Sequence, residues 1–434
     1  MKYLIIGAGP CGLIMAKYMK EAGIEYEHAE ADSNLGGNWF HGVYDSVYTD
    51  ADKSTMEYPA FQMPESYPDF LSAKQMLKYY NDFADSFGLR SMIQFNTSVT
   101  WITAESDNSW SVQFNNGITK IYTGVIICNG HHWDRNIPEL PGNFEGTVLH
   151  SKDYKNGSQL TGKKVLVVGS RNSAVDIACE AARYGAKAVL SMRESPWIIP
   201  KAFFGKPLSK LGGGMPDLLK PYLIKLLVRL SFGAYSDYKM AKPQHRPLQK
   251  LPTMSEEFPY YLRHGRVKVK PGISDCAGNT IRFSDKSEEE FDLVVMATGY
   301  KLSFPFLPEE LSRTRGQNLL CYGYSVYSDY KGLFFFGWPQ VIGGIGQLSE
   351  MMAAALVDLI KLEHETDLPS GLILMTKGNE LSKNNRPTGK EISKWIRKNS
   401  YSKLIRVARK DLRNKVHTNL PTREMYERKP VAYY

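Results

Sequence analysis

The chain has 434 residues, a formal net charge of +9, 43% hydrophobic and 23% charged residues, the make-up of a soluble globular protein of about two or three domains. No apolar run reaches the length of a bilayer span, and the chain enters a strand within three residues, so neither a transmembrane segment nor a signal peptide is expected. Cys11, Cys128, Cys179, Cys276 and Cys321 are scattered with no CxxC pair, which argues against a zinc site or a dithiol redox centre and for a reducing, cytoplasmic compartment.

Tyr3-Leu4-Ile5-Ile6 is a short apolar run of the kind that forms a buried parallel strand. Gly7-Ala8-Gly9-Pro10-Cys11-Gly12 follows, and a helix opens behind it with Leu13, Ala16 and Met19 on one side. Strand, glycine turn and helix place bare N–H groups where a pyrophosphate binds. Gly7 permits the turn, Gly9 lets backbone approach the ligand, and Gly12 lets helix and strand pack closely. The alternating stretch Ile24, Tyr26, His28 ends at Glu30, 18 residues past Gly12. A carboxylate there accepts from a ribose 2′-OH and repels a 2′-phosphate.

Gly36-Gly37-Asn38-Trp39 comes next, a place for backbone to pass close to a flat ligand with the indole nearby. Val43 to Tyr67 is a long aromatic and proline-rich loop, which in a compact domain points to function. Gln75 to Gly88 has a helical face of Met76, Leu77, Tyr80, Phe83 and Phe87. Residues 98–102, 110–114 and 118–122 alternate as antiparallel strands, with Asn116-Gly117 as a hairpin turn. Val125 to Cys128 is again a buried strand and leads into His131-His132. Adjacent side chains at a strand end are expected to diverge, and no Cys or carboxylate cluster accompanies them, so no metal is expected.

At Lys164 the chain starts again. Val165 to Val168 is a strand, Gly169-Ser170-Arg171-Asn172-Ser173-Ala174 a second turn, Ala174 to Tyr184 a helix stopped by Gly185, and Ala188 to Ser191 the next strand. Gly169 stands 162 residues after Gly7, and two dinucleotide folds imply two dinucleotides. Here Arg171 and Ala174 replace two glycines. The acid of the first unit is replaced by Arg193, whose guanidinium can fork onto a 2′-phosphate. This favours NADPH over NADH, although Glu194 beside it leaves NADH open.

Pro216 to Phe232 carries a helical stripe of Leu218, Leu219, Tyr222, Leu223, Leu226, Leu227 and Leu230, with Lys220, Lys225 and Arg229 off it. Packing on its own domain is the expected role; a homodimer face or peripheral membrane contact is the other option. Strands are expected at 267–269, 281–283, 293–296 and 333–336. Ala297-Thr298-Gly299-Tyr300 is a glycine-containing strand end where the chain crosses between nucleotide units. Gly343-Gly344-Ile345-Gly346 precedes a long helix from Gln347 to about Leu362. From Lys377 to Lys415 there are thirteen Lys or Arg against three acids, read as a solvated helical tail, with an acidic partner or membrane surface second. No nucleic-acid module is readable, so no nucleic-acid partner is expected.

Taken in order, GAGPCG, GGNW, FEGTVLHSKDY, GSRNSA and ATGY resemble the single-component flavin-containing monooxygenases, relatives of the Baeyer–Villiger monooxygenases. The most specific element is Phe144-x-Gly146-x-x-x-His150-x-x-x-Tyr154; Baeyer–Villiger enzymes usually carry Trp or Pro at the last place. The resemblance covers roughly residues 1 to 360. It implies an α/β protein of two Rossmann-like dinucleotide-binding domains, the second inserted in the first: 1–158 and 292–434 for FAD, 162–291 for NADPH. FAD would meet Gly7, Gly9, Pro10, Cys11, Gly12, Glu30, Gly37, Asn38, Trp39, Thr49, Asp50 and Gln347, and Thr298 and Gly299 are cofactor-binding candidates where the chain crosses between the units. NADPH would meet Gly169, Ser170, Arg171, Asn172, Ser173 and Arg193.

The chemistry implied is reduction of the flavin by hydride, addition of O2 to give a flavin hydroperoxide, and attack on it by an amine nitrogen or thioether sulfur of a small substrate. The cofactor carries that chemistry, which explains the absence of a triad or acid–base dyad. One departure favours the alternative, a Baeyer–Villiger enzyme oxidising ketones to esters or lactones. Asp50 stands where flavin-containing monooxygenases usually carry Asn, and Arg246-Pro247 resembles the surroundings of the mobile Arg that partners such an Asp. Asp50 and Arg246 are therefore the candidate catalytic pair. His150 and Tyr154 are expected to couple the domains. A further alternative is a flavin reductase or oxidase that oxygenates nothing.

Overall fold

The computed structural model describes residues 1–211, 216, 218–340, 343–382 and 387–412. Two five-stranded, wholly parallel sheets organise it. The first runs Leu333–Phe335, Gly124–Ile127, Tyr3–Ile6, Tyr26–Ala29, Ile93–Gln94. The second runs Thr147–His150, Leu293–Met296, Lys164–Val168, Lys187–Ser191, Val267–Lys270. The strand that feeds a glycine turn is central in both. On one side it pairs with the next parallel strand of its unit, on the other with a strand from more than a hundred residues later. That reversal of strand order is where open α/β sheets bind ligands.

Every residue of Tyr3–Ile6 is buried, as a strand covered on both faces must be. On one face lie the Pro10–Glu21, Ala73–Ser86 and Gly346–Thr366 helices, sharing a core with Tyr58, Tyr79, Tyr80 and Phe83. On the other, the antiparallel strands Val99–Ala104, Trp110–Phe114 and Thr119–Tyr122 contribute Ile102, Trp110 and Val112. Part of the basic tail belongs to this unit: the Gly389–Lys398 and Tyr401–Val407 helices bury Ile392 and Leu404 against it. The remainder of the tail, 413–434, lies outside the described residues.

The second unit is inserted in the first, but its limits differ from those expected. Thr147–His150 and Leu293–Met296 are strands of the second sheet, and Gly142–Phe144 pairs with Ile273–Gly278. The unit therefore begins ahead of residue 162 and runs past 291. Thr147–His150, expected within the first unit, supplies an edge strand of the second instead. The chain enters and leaves the insert side by side: Asp134–Arg135 and Tyr300–Lys301 form an antiparallel pair, and the Asn136 N–H donates to the Gly299 carbonyl at 3.0 Å.

The Lys220–Phe232 helix departs from the expected orientation. Ile224, Leu227 and Val228 are buried with Trp197, Ile199 and Phe203. Leu218, Leu219, Tyr222, Leu226 and Leu230 are exposed. Among the described residues no helix is long and apolar enough to cross a membrane.

Candidate functional site

The first glycine turn is held by contacts only glycine permits. A Cβ on Gly12 would lie 1.8 Å from the Gly7 carbonyl oxygen, and one on Gly7, whose φ is +99°, 2.7 Å from that of Cys128. Buried His28 caps this turn, its Nε2 3.0 Å from the Gly7 carbonyl. Burial pushes the imidazole down to about 4, so it is neutral and donates. Gly9 and Gly37 face each other, a Cβ on Gly37 falling 3.1 Å from the Gly9 Cα. Glu30 ends its strand almost fully buried, its carboxylate accepting from the N–H of Ala8 at 2.5 Å and of Asp32 at 2.9 Å. Burial raises its pKa against those hydrogen bonds. Bare backbone, a helix N-terminus with Pro10 in its first turn and an anchored carboxylate together fit the ADP half of FAD.

The other residues assigned to this site are spread over several elements. Gly337 leaves no room for a side chain, since a Cβ there would lie 2.5 Å from the Cys11 Sγ. Asn38 and Trp39 form the short Asn38–His41 helix behind Gly37. Thr49 is buried, its Oγ1 accepting from the Leu71 N–H. Thr298 and Gly299 lie where the chain leaves the insert, the Thr298 hydroxyl donating to the Asn136 carbonyl. Gln347 is exposed in the first turn of the Gly346–Thr366 helix. Gly346 fits that helix tightly against the Glu57 carbonyl, where a Cβ would come to 1.9 Å.

The second turn is built alike. Gly169 has φ +146°, and a Cβ there would lie 2.4 Å from the Ala297 carbonyl. Arg171 caps the Asn172–Arg183 helix, and its guanidinium donates to the Leu251 carbonyl. Ser170 offers its carbonyl to the Thr253 hydroxyl at 2.7 Å. Arg193 is exposed just beyond the Lys187–Ser191 strand, where a 2′-phosphate would sit.

Where the two units meet, side chains absent from the motif reading come together. Tyr44 donates to Asp176 at 2.7 Å and Ser46 to Glu180 at 2.6 Å, so the aromatic loop of the first unit runs along the helix of the second. Ser173 also hydrogen-bonds Tyr44. The Asn172 side chain donates to the Asp50 carboxylate and accepts from the Met254 N–H. Lys201 Nζ lies 3.7 Å from Asp50 and donates to the Thr49 carbonyl at 3.0 Å. Asp50 keeps 47% of its side chain open, yet protein walls it in closely enough that burial raises its pKa, with Lys201 and Asn172 opposing. Asp50 thus sits half open between the two units, beside Asn172 and Lys201. Asp176 is pushed up to about 6, first by burial and, after Tyr44's opposing bond, by the nearby Asp50 charge.

Two expectations are corrected here. Arg246 does not join Asp50: it is exposed and lines a cavity of about 280 Å³ with Trp197, Tyr222, Lys225, Lys242 and His245. Lys201 takes the place beside Asp50 because the Ala202–Phe203 hairpin that follows it lies over residues 48–52, where Ser209 also reaches Asp52. Nor do the His131 and His132 rings diverge. Their centroids are 4.1 Å apart in an edge-on contact, with His131 Nδ1 3.0 Å from the Gly337 carbonyl. No set of three or more metal-ligating side chains forms among the described residues. His150 bonds the Gly299 carbonyl at 3.0 Å, and buried Tyr154 packs on Tyr44. Lys201, Tyr44 and Asp176 carry no motif, and no spacing signal in the sequence pairs them with Asp50.

Fold and crevice define an oxidoreductase framework with two dinucleotide cradles. A family model described as "FMO-like: Flavin-binding monooxygenase-like" matches residues 1–416, and the chain belongs to that family. It is a flavin-dependent monooxygenase. Rabbit (Oryctolagus cuniculus) dimethylaniline monooxygenase [N-oxide-forming] 2 is 30% identical over 385 residues, 81% of this chain and 72% of the relative. The fold is shared with cyclohexanone monooxygenase from Rhodococcus sp. Phi1 bound to NADP+, at TM-score 0.69, 16% identity and 84% and 85% coverage of the two chains. It is shared too with OTEMO in complex with FAD and NADP, at TM-score 0.67, 19% identity and 85% and 86% coverage.

Proposed function

We propose that the protein oxygenates a soft nucleophile, an amine nitrogen or a thioether sulfur, in the crevice where Asp50, Asn172 and Lys201 meet. The Asp50 cluster, which joins residues of both nucleotide units, marks the place; the choice of nucleophile is carried by Tyr154, where Baeyer–Villiger enzymes usually have Trp or Pro. The N-oxide-forming relative supports it. When bound, the reduced flavin supplies the activation of O2 and the transfer of one oxygen atom. Gly7, Gly9, Gly12, Gly37 and Glu30 would hold FAD; Gly169 to Ser173 and Arg193 would hold NADPH.

The chain's own part is placement and dryness. Asp50 anchors the Asn172 amide at the start of the second dinucleotide helix. Lys201 favours the ionised form of Asp50 and ties its loop to the insert through the Thr49 carbonyl. Tyr44 and Ser46 close the loop onto the same helix, and closing such a crevice excludes water.

A Baeyer–Villiger reading retains the acid and a cation but lacks the expected arginine beside them. Incubation of the holoenzyme with NADPH, O2 and either a thioether or a cyclic ketone separates the two. Sulfoxide without lactone is expected, and lactone as the main product overturns the proposal. Peroxide formed in step with NADPH oxidation, with neither product, assigns an oxidase. All five cysteines are free thiols, in keeping with a cytoplasmic placement.

A further inference from the structure

The Lys220–Phe232 helix buries Ile224, Leu227 and Val228 and still turns large apolar side chains to solvent. Leu219, Tyr222, Leu226 and Leu230, at helical spacings of three and four, are 50%, 59%, 55% and 70% exposed. Lys225 and Arg229 lie at the rim of that face, and no acid occurs between Leu218 and Phe232. Phe204 stands 84% exposed at the turn of the adjoining hairpin with φ +51°, a conformation bulky residues rarely hold. Phe203, one residue earlier, packs in the same cluster as the inner face of the helix.

A cavity of about 280 Å³ opens on the helix flank, where Tyr222 and Lys225 meet Lys242, His245 and Arg246, and no carboxylate lines it. Glu194, 4.0 Å from His245, is engaged by Lys250 at 2.6 Å. An exposed apolar stripe beside a cationic hollow is the chemistry of an interfacial helix, acyl chains against the leucines and phosphate headgroups against the cations. A second copy is a poor occupant. Two-fold pairing of this face would bring the Lys225 and Arg229 cations of both copies together with no acid on the helix to offset them.

We propose that the Lys220–Phe232 helix, with the cavity at its flank, is a peripheral docking site for an anionic phospholipid bilayer.

Flotation of the purified holoenzyme with phosphatidylcholine vesicles, with and without about a third phosphatidylserine, tests it. The expected result is binding only to the anionic vesicles, weakening as salt rises. Leu226→Glu with Leu230→Glu should abolish binding while NADPH oxidation in free solution is unchanged. Lys225→Glu with Arg229→Glu should weaken it by about tenfold or more. Failure to bind, binding indifferent to lipid charge, or binding unaffected by the leucine variants overturns the proposal. So does a wild-type dimer in light scattering that the leucine variants convert to monomer, which would assign the face to a second copy. If Lys242→Ala raises the KM for NADPH and leaves flotation intact, the cavity serves the dinucleotide and the headgroup assignment fails. If inorganic phosphate at matched ionic strength abolishes flotation, the cavity is a free-phosphate site.

Discussion

Lys201 and Arg differ in more than identity at the Asp50 site. An ammonium is a compact charge on a flexible stem, without the guanidinium's planar fork, and this one divides its donors between Asp50 and the Thr49 and Tyr48 carbonyls. Because Lys201 lowers the Asp50 pKa, Lys201→Met should raise it. The acid limb of the pH profile for NADPH-driven turnover should then move to higher pH, with activity near neutrality falling about tenfold. Lys201→Arg should restore it, and Asp50→Asn should remove the limb. A limb that stays in place in Lys201→Met assigns it to another group. Glu363 offers a test of stability. It is fully buried, accepts from the N–H of Gly332 and of Ser370, and is pushed up to about 7 by burial. A folded pKa above the unfolded one means its contribution is complete at low pH and is lost as pH rises through about 4.5 to 7. Wild type should lose on the order of 1 to 3 kcal/mol over that window that Glu363→Gln does not lose. Denaturant titrations at pH 5 and 8 measure the difference. Glu30 was legible because its place follows from the spacing after Gly12. Lys201 and Asp176 were not, because their roles come from contacts across more than a hundred residues.

The strand–turn–helix elements were readable because each is local: the apolar run, the glycines and the helix behind them lie in one stretch of sequence. They also make the sharpest contrast between neighbouring positions. Gly12→Ala sets a Cβ 1.8 Å from the Gly7 carbonyl, so the turn must open, and colourless or insoluble protein is expected. Gly9→Ala has 3.6 Å to the Gly37 Cα. It should fold with little change in Tm yet bind FAD about tenfold or more weakly, since the methyl occupies the ligand's side of the turn. Equal flavin content in wild type and Gly9→Ala would show that the backbone there does not meet the cofactor. The Lys220–Phe232 helix shows why periodicity stops short. It is apolar on nearly every side, so its pattern names a helix without naming the buried face. Trp197, Ile199 and Phe203 choose Ile224, Leu227 and Val228 from a distance no window of sequence spans.

At the scale of the molecule, the repeat of one fold inside another was legible from the two glycine turns, while the boundaries were not, because an edge strand such as Thr147–His150 carries no turn or cap signal of its own. Tyr44 to Asp176 and Ser46 to Glu180 are among the polar bonds that join the two units. Tyr44→Phe with Ser46→Ala should therefore cost about 1 to 3 kcal/mol of coupling and appear as peroxide released per NADPH consumed. Unchanged coupling would assign it to other contacts between the units. The paired strands Asp134–Arg135 and Tyr300–Lys301 have a consequence of another kind. The guest passes in and out through a narrow neck whose two sides already touch, so its removal would leave the host's severed ends within bonding reach of each other. A host with residue 135 spliced to 300 by a short turn should still take up flavin and turn yellow, deaf to NADPH, and the neck would then serve as a socket for grafting other nucleotide modules.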